Sequence, residues 1–217
     1  MNIKNEKELC IMKTMHKMVM GLAVFSVAGL VHADAARPYV GVTYGINTEV
    51  DADKLAANCG TGGVTCSDLG NADDAWQFYG GYPIRPNIAL EGGYTNLVYV
   101  AKAKDSGGRQ AEQKTDGIAL NLVGRKALSG KTNVYGKVGA YLWNSETKST
   151  VGNAEDSGTS PTVGLGLEYG INDKWTVRGG WDRFFSVGKD NALITGGAAS
   201  TLKEDIDTLS IGLNYNF

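Results

Sequence analysis

Histidine is nearly absent from this sequence. Only His16 and His32 occur among its 217 residues, and both lie in an N-terminal stretch with the marks of a leader. Lys13, His16 and Lys17 give that stretch a positive start, residues 18–30 (MVMGLAVFSVAGL) an apolar body, and Val31-His32-Ala33 a small-residue cleavage site. The apolar run falls short of the roughly 20 residues a helix needs to cross a bilayer. Residues 1–33 are therefore predicted to be a cleaved signal peptide, with Met12 and Met15 as alternative starts behind an odd 1–11 segment. Residues 34–217 then hold no histidine, which removes the commonest general base and metal ligand.

Cysteine is scarce as well. Cys10 belongs to the leader, leaving Cys59 and Cys66, seven positions apart in a polar, glycine-rich stretch. In a secreted chain such a pair reads as a small disulfide loop. As half of a metal site it lacks the other ligands. A net charge of -2 points to neither nucleic acid nor an acidic tail. No phosphate-cradling glycine loop or metal-ligand spacing occurs. The turn GINDKW and the segment Asp51-Ala52-Asp53 lack the remaining ligands of a calcium loop. Ser157, Ser186 and Ser210 have no candidate base nearby in sequence, and a carboxylate mechanism on Glu168 and Asp182 is a remote alternative. No catalytic, cofactor-binding or metal-binding residue is assigned, no cofactor is expected, and the chain is not expected to be an enzyme.

What the sequence has is alternation. In SPTVGLGLEYGINDKWTVRGGWDRFF, residues 160–185, one parity is apolar: Val163, Leu165, Leu167, Tyr169, Ile171, then Trp175, Val177 and Trp181. The other is glycine or charge, including Glu168, Arg178 and Asp182. That is two strands and a tight turn. Glu168 and Arg178 share a face, so paired positions sum to an even number, which favours the three-residue loop Asn172-Asp173-Lys174 with Glu168 opposite Arg178.

The same pattern recurs in residues 37–46, 75–82, 88–97, 118–125, 133–143 and 208–217, giving eight strands of about nine to eleven residues, the length a tilted strand needs to cross a bilayer. Glu91 and Lys137 sit on the glycine parity of their strands. Long polar connections (residues 47–74, 101–115, 144–159 and 186–207) alternate with tight turns, so all long loops gather at one pole.

Alternation alone fits a soluble lipocalin-like barrel with its apolar face inward or a membrane barrel with that face outward. Three features favour the membrane. Aromatic residues cluster near both strand ends, as at two bilayer interfaces: Tyr82, Tyr169, Trp175, Tyr215 and Phe217 at one, Tyr44, Trp76, Tyr94 and Trp181 at the other. The polar parity is rich in glycine, which suits a crowded small-barrel interior. Loops long at one pole and tight at the other complete the pattern. The fold class is therefore all-β: an eight-stranded antiparallel up-and-down transmembrane barrel over residues 34–217, in the bacterial outer membrane.

These strands resemble the OmpA-type eight-stranded outer-membrane barrels. SPTVGLGLEYGINDKWTVR is similar to that family's sixth and seventh strands with their inward Glu and Arg, FYGGYPIRPNIALEGGY to its second and third, and NVYGKVGAYLW to its fifth. LSIGLNYNF, with Tyr215 and Phe217, resembles the C-terminal strand read by the barrel assembly machinery. Val123 stands where the family usually has an inward lysine, with Arg125 two residues on, and the barrel is expected without the family's peptidoglycan-binding domain. The resemblance implies a lumen charge network of Glu91, Lys137, Glu168 and Arg178. It also implies surroundings of outer-membrane lipid and lipopolysaccharide, and extracellular loops that meet a host-surface ligand. The expected role is adhesion, colonisation or membrane integrity; the alternative is a narrow porin-like channel gated by the lumen charges.

Overall fold

The computed structural model describes residues 37–50, 64–66, 74–97, 102–105, 110–149, 152–188, 194–195, 198–199 and 203–217. Residues 1–33, expected to be a signal peptide, lie outside them, as does Cys59, and with it the expected Cys59–Cys66 pairing; Cys66 itself ends a short strand, Val64–Cys66. Among the described residues eight long strands form the wall: β1 Tyr39–Val50, β2 Asp74–Arg85, β3 Ile88–Leu97, β4 Gln110–Ser129, β5 Thr132–Ser149, β6 Gly152–Gly170, β7 Trp175–Val187 and β8 Glu204–Asn216. Each pairs antiparallel with its neighbour in sequence. β8 pairs back onto β1 from Tyr39↔Asn216 to Val50↔Ile206, so the sheet closes and no long strand is left as an edge.

The faces divide by parity, and the division is the reverse of a soluble protein's. Leu165, Leu167, Val138 and Ile211 are 57%, 53%, 57% and 65% exposed, whereas Arg178, Glu91 and Glu168 are 2%, 2% and 4% exposed. Side chains that would be costly in water point out, and side chains that would be costly in lipid point in. Only a hydrocarbon surround makes both choices favourable. Aromatic clusters bound this band: Trp175, Tyr215 and Phe217 stack in sequence at 5.0 and 5.3 Å between centroids at the turn pole, and Trp76 packs on Tyr94 at 5.3 Å at the other.

The three tight turns are Pro86-Asn87, Gly130-Lys131 and residues 171–174. In the last, the Ile171 N–H donates to the Trp175 carbonyl at 2.9 Å, and the Asn172 side-chain oxygen accepts from the N–H of Lys174 and Trp175 at 2.9 Å each. That Asx cap fixes the register that sets Glu168 opposite Arg178.

Strand lengths correct the sequence expectation. β4, β5 and β6 run 20, 18 and 19 residues, not nine to eleven. Much of the polar stretch 144–159, expected as a loop, is ladder: Asn144↔Ser157 through Ser149↔Gly152. Ser145 and Thr147 are buried on the inward side, and on the outward side Lys114 opposes Glu146, whose carboxylate lies 3.6 Å from the Lys148 ammonium. Cross-strand charge pairs hold a sheet in water as apolar pairs hold it in lipid. The segment lost its apolar residues because it has left the membrane, not because it has left the sheet. Short strands Val64–Cys66 and Lys102–Asp105 extend this projecting sheet beside β4.

Inward glycines make room for tyrosines. Gly166 and Gly180 face each other across β6 and β7, and the Tyr135 ring of β5 lies in the slot they leave, where a methyl group on Gly180 would overlap the Tyr135 hydroxyl. Gly180→Val is expected to push that ring off Arg178 and to cost about 3 kcal/mol as overpacking of a rigid wall. Chemical unfolding in lipid vesicles measures it, and a change below about 0.5 kcal/mol would mean the slot is not filled.

Candidate functional site: the barrel lumen

Four inward charges gather toward the turn pole. Arg178 of β7 lies with Nη1 2.6 Å from Glu91 Oε2 of β3, and its Nε is 3.8 Å from Glu168 Oε1 of β6. Arg125 of β4 takes Glu168 through two contacts, Nε to Oε2 at 2.8 Å and Nη2 to Oε1 at 3.2 Å. The Tyr39 hydroxyl donates to Glu91 Oε2 at 2.9 Å. Tyr135 and Tyr79 flank the Arg178 guanidinium, their ring centroids 4.0 and 5.1 Å from its carbon. Lys137 stands apart: its ammonium pairs with Asp182 Oδ2 at 2.9 Å, one step toward the loop pole.

The lumen charge network named from sequence is extended rather than replaced. Glu91, Glu168 and Arg178 meet, Lys137 acts on Glu91 through space while its direct ion pair is with Asp182, and Arg125 adds a second cation to Glu168. Arg125 supplies the cation that Val123, fully buried on the same strand, does not. Parity places Asp182 on the inward set of β7 with Arg178 but does not say which cation it meets. Which inward residues meet across a lumen depends on strand tilt and shear, which pairwise alternation does not carry.

Beyond Lys137 and Asp182 the lining turns neutral and then apolar. Thr162 Oγ1 donates to Asn121 Oδ1 at 2.9 Å. Above that, Ala75, Leu97, Ala119, Tyr141, Trp143, Phe184, Val187 and Ile206 form one buried cluster. Tyr141 and Phe184 pack edge to face at 5.1 Å. The two polar tips of the cluster are satisfied: the Tyr141 hydroxyl donates to the Thr95 carbonyl at 3.2 Å, and Trp143 Nε1 to Ser160 Oγ at 2.8 Å. Alternation alone does not single out this plug. Its signal was Tyr141 and Trp143 on the parity of Lys137, and Phe184 on that of Asp182.

The lumen thus carries two seals in series. An ion entering from the turn pole meets charges already engaged in ion pairs, then a layer of buried aromatic and aliphatic side chains. A charge in such a layer is costly enough to exclude it. Tyr215 and Phe217, singled out as an assembly signal, lie outward in the aromatic cluster beside Trp175, where the Phe217 N–H donates to the Pro38 carbonyl at 3.0 Å.

A closed cylinder of eight antiparallel strands, apolar outside and ion-paired within, defines an eight-stranded barrel of the bacterial outer membrane, set among outer-membrane lipid and lipopolysaccharide. Residues 33–217 match the OmpA-like transmembrane domain, and the chain belongs to that family. Outer membrane protein A of Salmonella typhi is 28% identical over 144 residues, covering 64% of this chain and 39% of that protein. Its counterpart in Escherichia coli O157:H7 is 26% identical over 143 residues, covering 64% and 38%. The chain thus spans about two fifths of the length of these curated relatives. Among solved structures, Neisserial surface protein A superposes with a TM-score of 0.57 at 13% identity, over 83% of this chain and 97% of that one. The N-terminal barrel of Pseudomonas aeruginosa OprF gives 0.51 at 13%, over 85% and 100%. At those identities the likeness is one of fold.

Proposed function

We propose that this barrel works at its extracellular end, as a surface-interaction protein whose projecting sheet and loops contact a host or neighbouring surface, and that it is neither an open channel nor an enzyme. The observation that carries this is the contrast between the two ends of β4–β6. Inside the membrane they enclose a lumen filled by side chains. Outside it they continue as a paired, polar sheet longer than closure of a barrel requires. The lack of histidine in residues 34–217 supports the non-enzymatic reading. Assembly by the barrel assembly machinery through the strand ending in Tyr215 and Phe217, and a host-surface ligand for the loops, belong to the same proposal.

Replacing residues 145–156 by a two-residue turn joins Asn144 to its ladder partner Ser157 and removes the projection while leaving the barrel. The trimmed protein is expected to keep its heat-dependent mobility on a detergent gel, and bacteria carrying it to lose tenfold or more in attachment to host cells. Attachment that persists after all four connections are trimmed would contradict the proposal. Detergent sensitivity of the cells in its place would assign the protein to envelope integrity.

A further inference from the structure

The turn-pole mouth of the lumen is open where the other end is plugged. Outside Arg125 and Glu168 lies a vestibule of about 630 Å³, within the range of ligand-binding cavities. Its cations differ from those deeper in the barrel. Arg125, Arg178 and Lys137 are each ion-paired. Arg37 and Lys131, on the vestibule wall, have no acidic partner among the described residues. Of the wall's two carboxylates, Glu168 is held by Arg125 and Arg178, and Asp173 stands in the exposed β6–β7 turn.

Beside the cations the wall offers amides and an apolar step. Asn133 and Asn214 line it. Asn214 Oδ1 already accepts the Tyr79 hydroxyl at 2.6 Å, which leaves its NH2 group to donate. Pro83 and Ile171 supply the apolar surface. The frame is stiff, because backbone bonds tie neighbouring rim segments together: Gly170 N–H to the Lys131 carbonyl at 2.8 Å, Asn216 N–H to the Lys174 carbonyl at 2.7 Å, and Arg125 N–H to the Asn87 carbonyl at 2.8 Å.

We propose that this vestibule, on the pole of tight turns that outer-membrane barrels set toward the periplasm, binds the carboxylate end of an extended peptide. A guanidinium and an ammonium take the carboxylate, the amides meet peptide groups, and the apolar step receives a small side chain. The vestibule opens along the barrel axis, away from the outward cluster of Trp175, Tyr215 and Phe217, so a lipid headgroup would have to leave its leaflet to reach it. The inference does not rest on the extracellular reading and can fail without it.

The test uses the refolded barrel of residues 34–217 in micelles, with side-chain amide resonances followed during titration. The probes are acetyl-trialanine with a free carboxylate, the same peptide amidated, a version ending in D-Ala-D-Ala, and inorganic phosphate. Saturable shifts at Asn133 and Asn214 are expected for the free carboxylates only. The stronger of the two stereochemistries identifies the source as a protein tail or a wall peptide. Arg37→Ala/Lys131→Ala, at two exposed positions, should weaken binding tenfold or more. Lys126→Ala, on the outward face of the same rim, should leave it unchanged. Equal response to the amidated peptide or to phosphate, absence of saturation, or equal weakening by Lys126→Ala would each overturn the proposal.

Discussion

Arg178→Ala is expected to lower the stability of the refolded barrel by about 3–5 kcal/mol, because it leaves Glu91 buried without its 2.6 Å partner. Guanidinium unfolding in phospholipid vesicles, followed by tryptophan fluorescence, measures the loss. Glu168 suffers less, since Arg125 still holds it through two contacts. For the same reason Arg125→Ala, at a side chain 20% exposed, should cost less than Arg178→Ala, as Arg178 stays within 3.8 Å of Glu168. The double variant Glu91→Gln/Arg178→Met removes both charges and should recover most of the loss, since no unpaired charge is left buried. A loss below about 1 kcal/mol for Arg178→Ala would mean that the cluster is wet and weakly coupled.

The same variant should remain electrically silent. Breaking the ionic seal leaves Tyr141, Trp143 and Phe184 in place, and that buried aromatic layer is expected to stop ions by itself. In planar bilayers, Arg178→Ala and Tyr141→Ala/Phe184→Ala are each expected to show no more channel events than the parent protein. The triple variant, with both seals opened, should give resolvable conductance steps. Steady conductance from Arg178→Ala alone would restore the charge-gated channel as the better reading and make the apolar layer incidental.

How much of this was legible in the chain follows from what alternation encodes. Period two gave the strands and the outward set, and one matched pair of inward charges, Glu168 and Arg178, gave a register. Alternation also hid two things. Across residues 144–159 both faces are polar, so the contrast that marks a strand in lipid disappears although the ladder continues from Asn144↔Ser157 to Ser149↔Gly152. Across the lumen, partners come from strands that do not touch, as Glu91 of β3 and Arg178 of β7 do. Their heights are set by tilt, so Lys137 meets Asp182 and Arg125 meets Glu168 for reasons that no single strand displays.

Every reading above requires the exposed apolar side chains to face hydrocarbon. Leu165, 57% exposed between Val163 and Leu167 on β6, lies in the middle of the outward band, so Leu165→Arg tests that requirement most directly. Folded into phosphatidylcholine vesicles, the variant is expected to lose about 2–4 kcal/mol, as a cation held near the bilayer midplane should. If it keeps full stability, or gains water solubility without detergent, the outward face meets water and the membrane assignment is wrong.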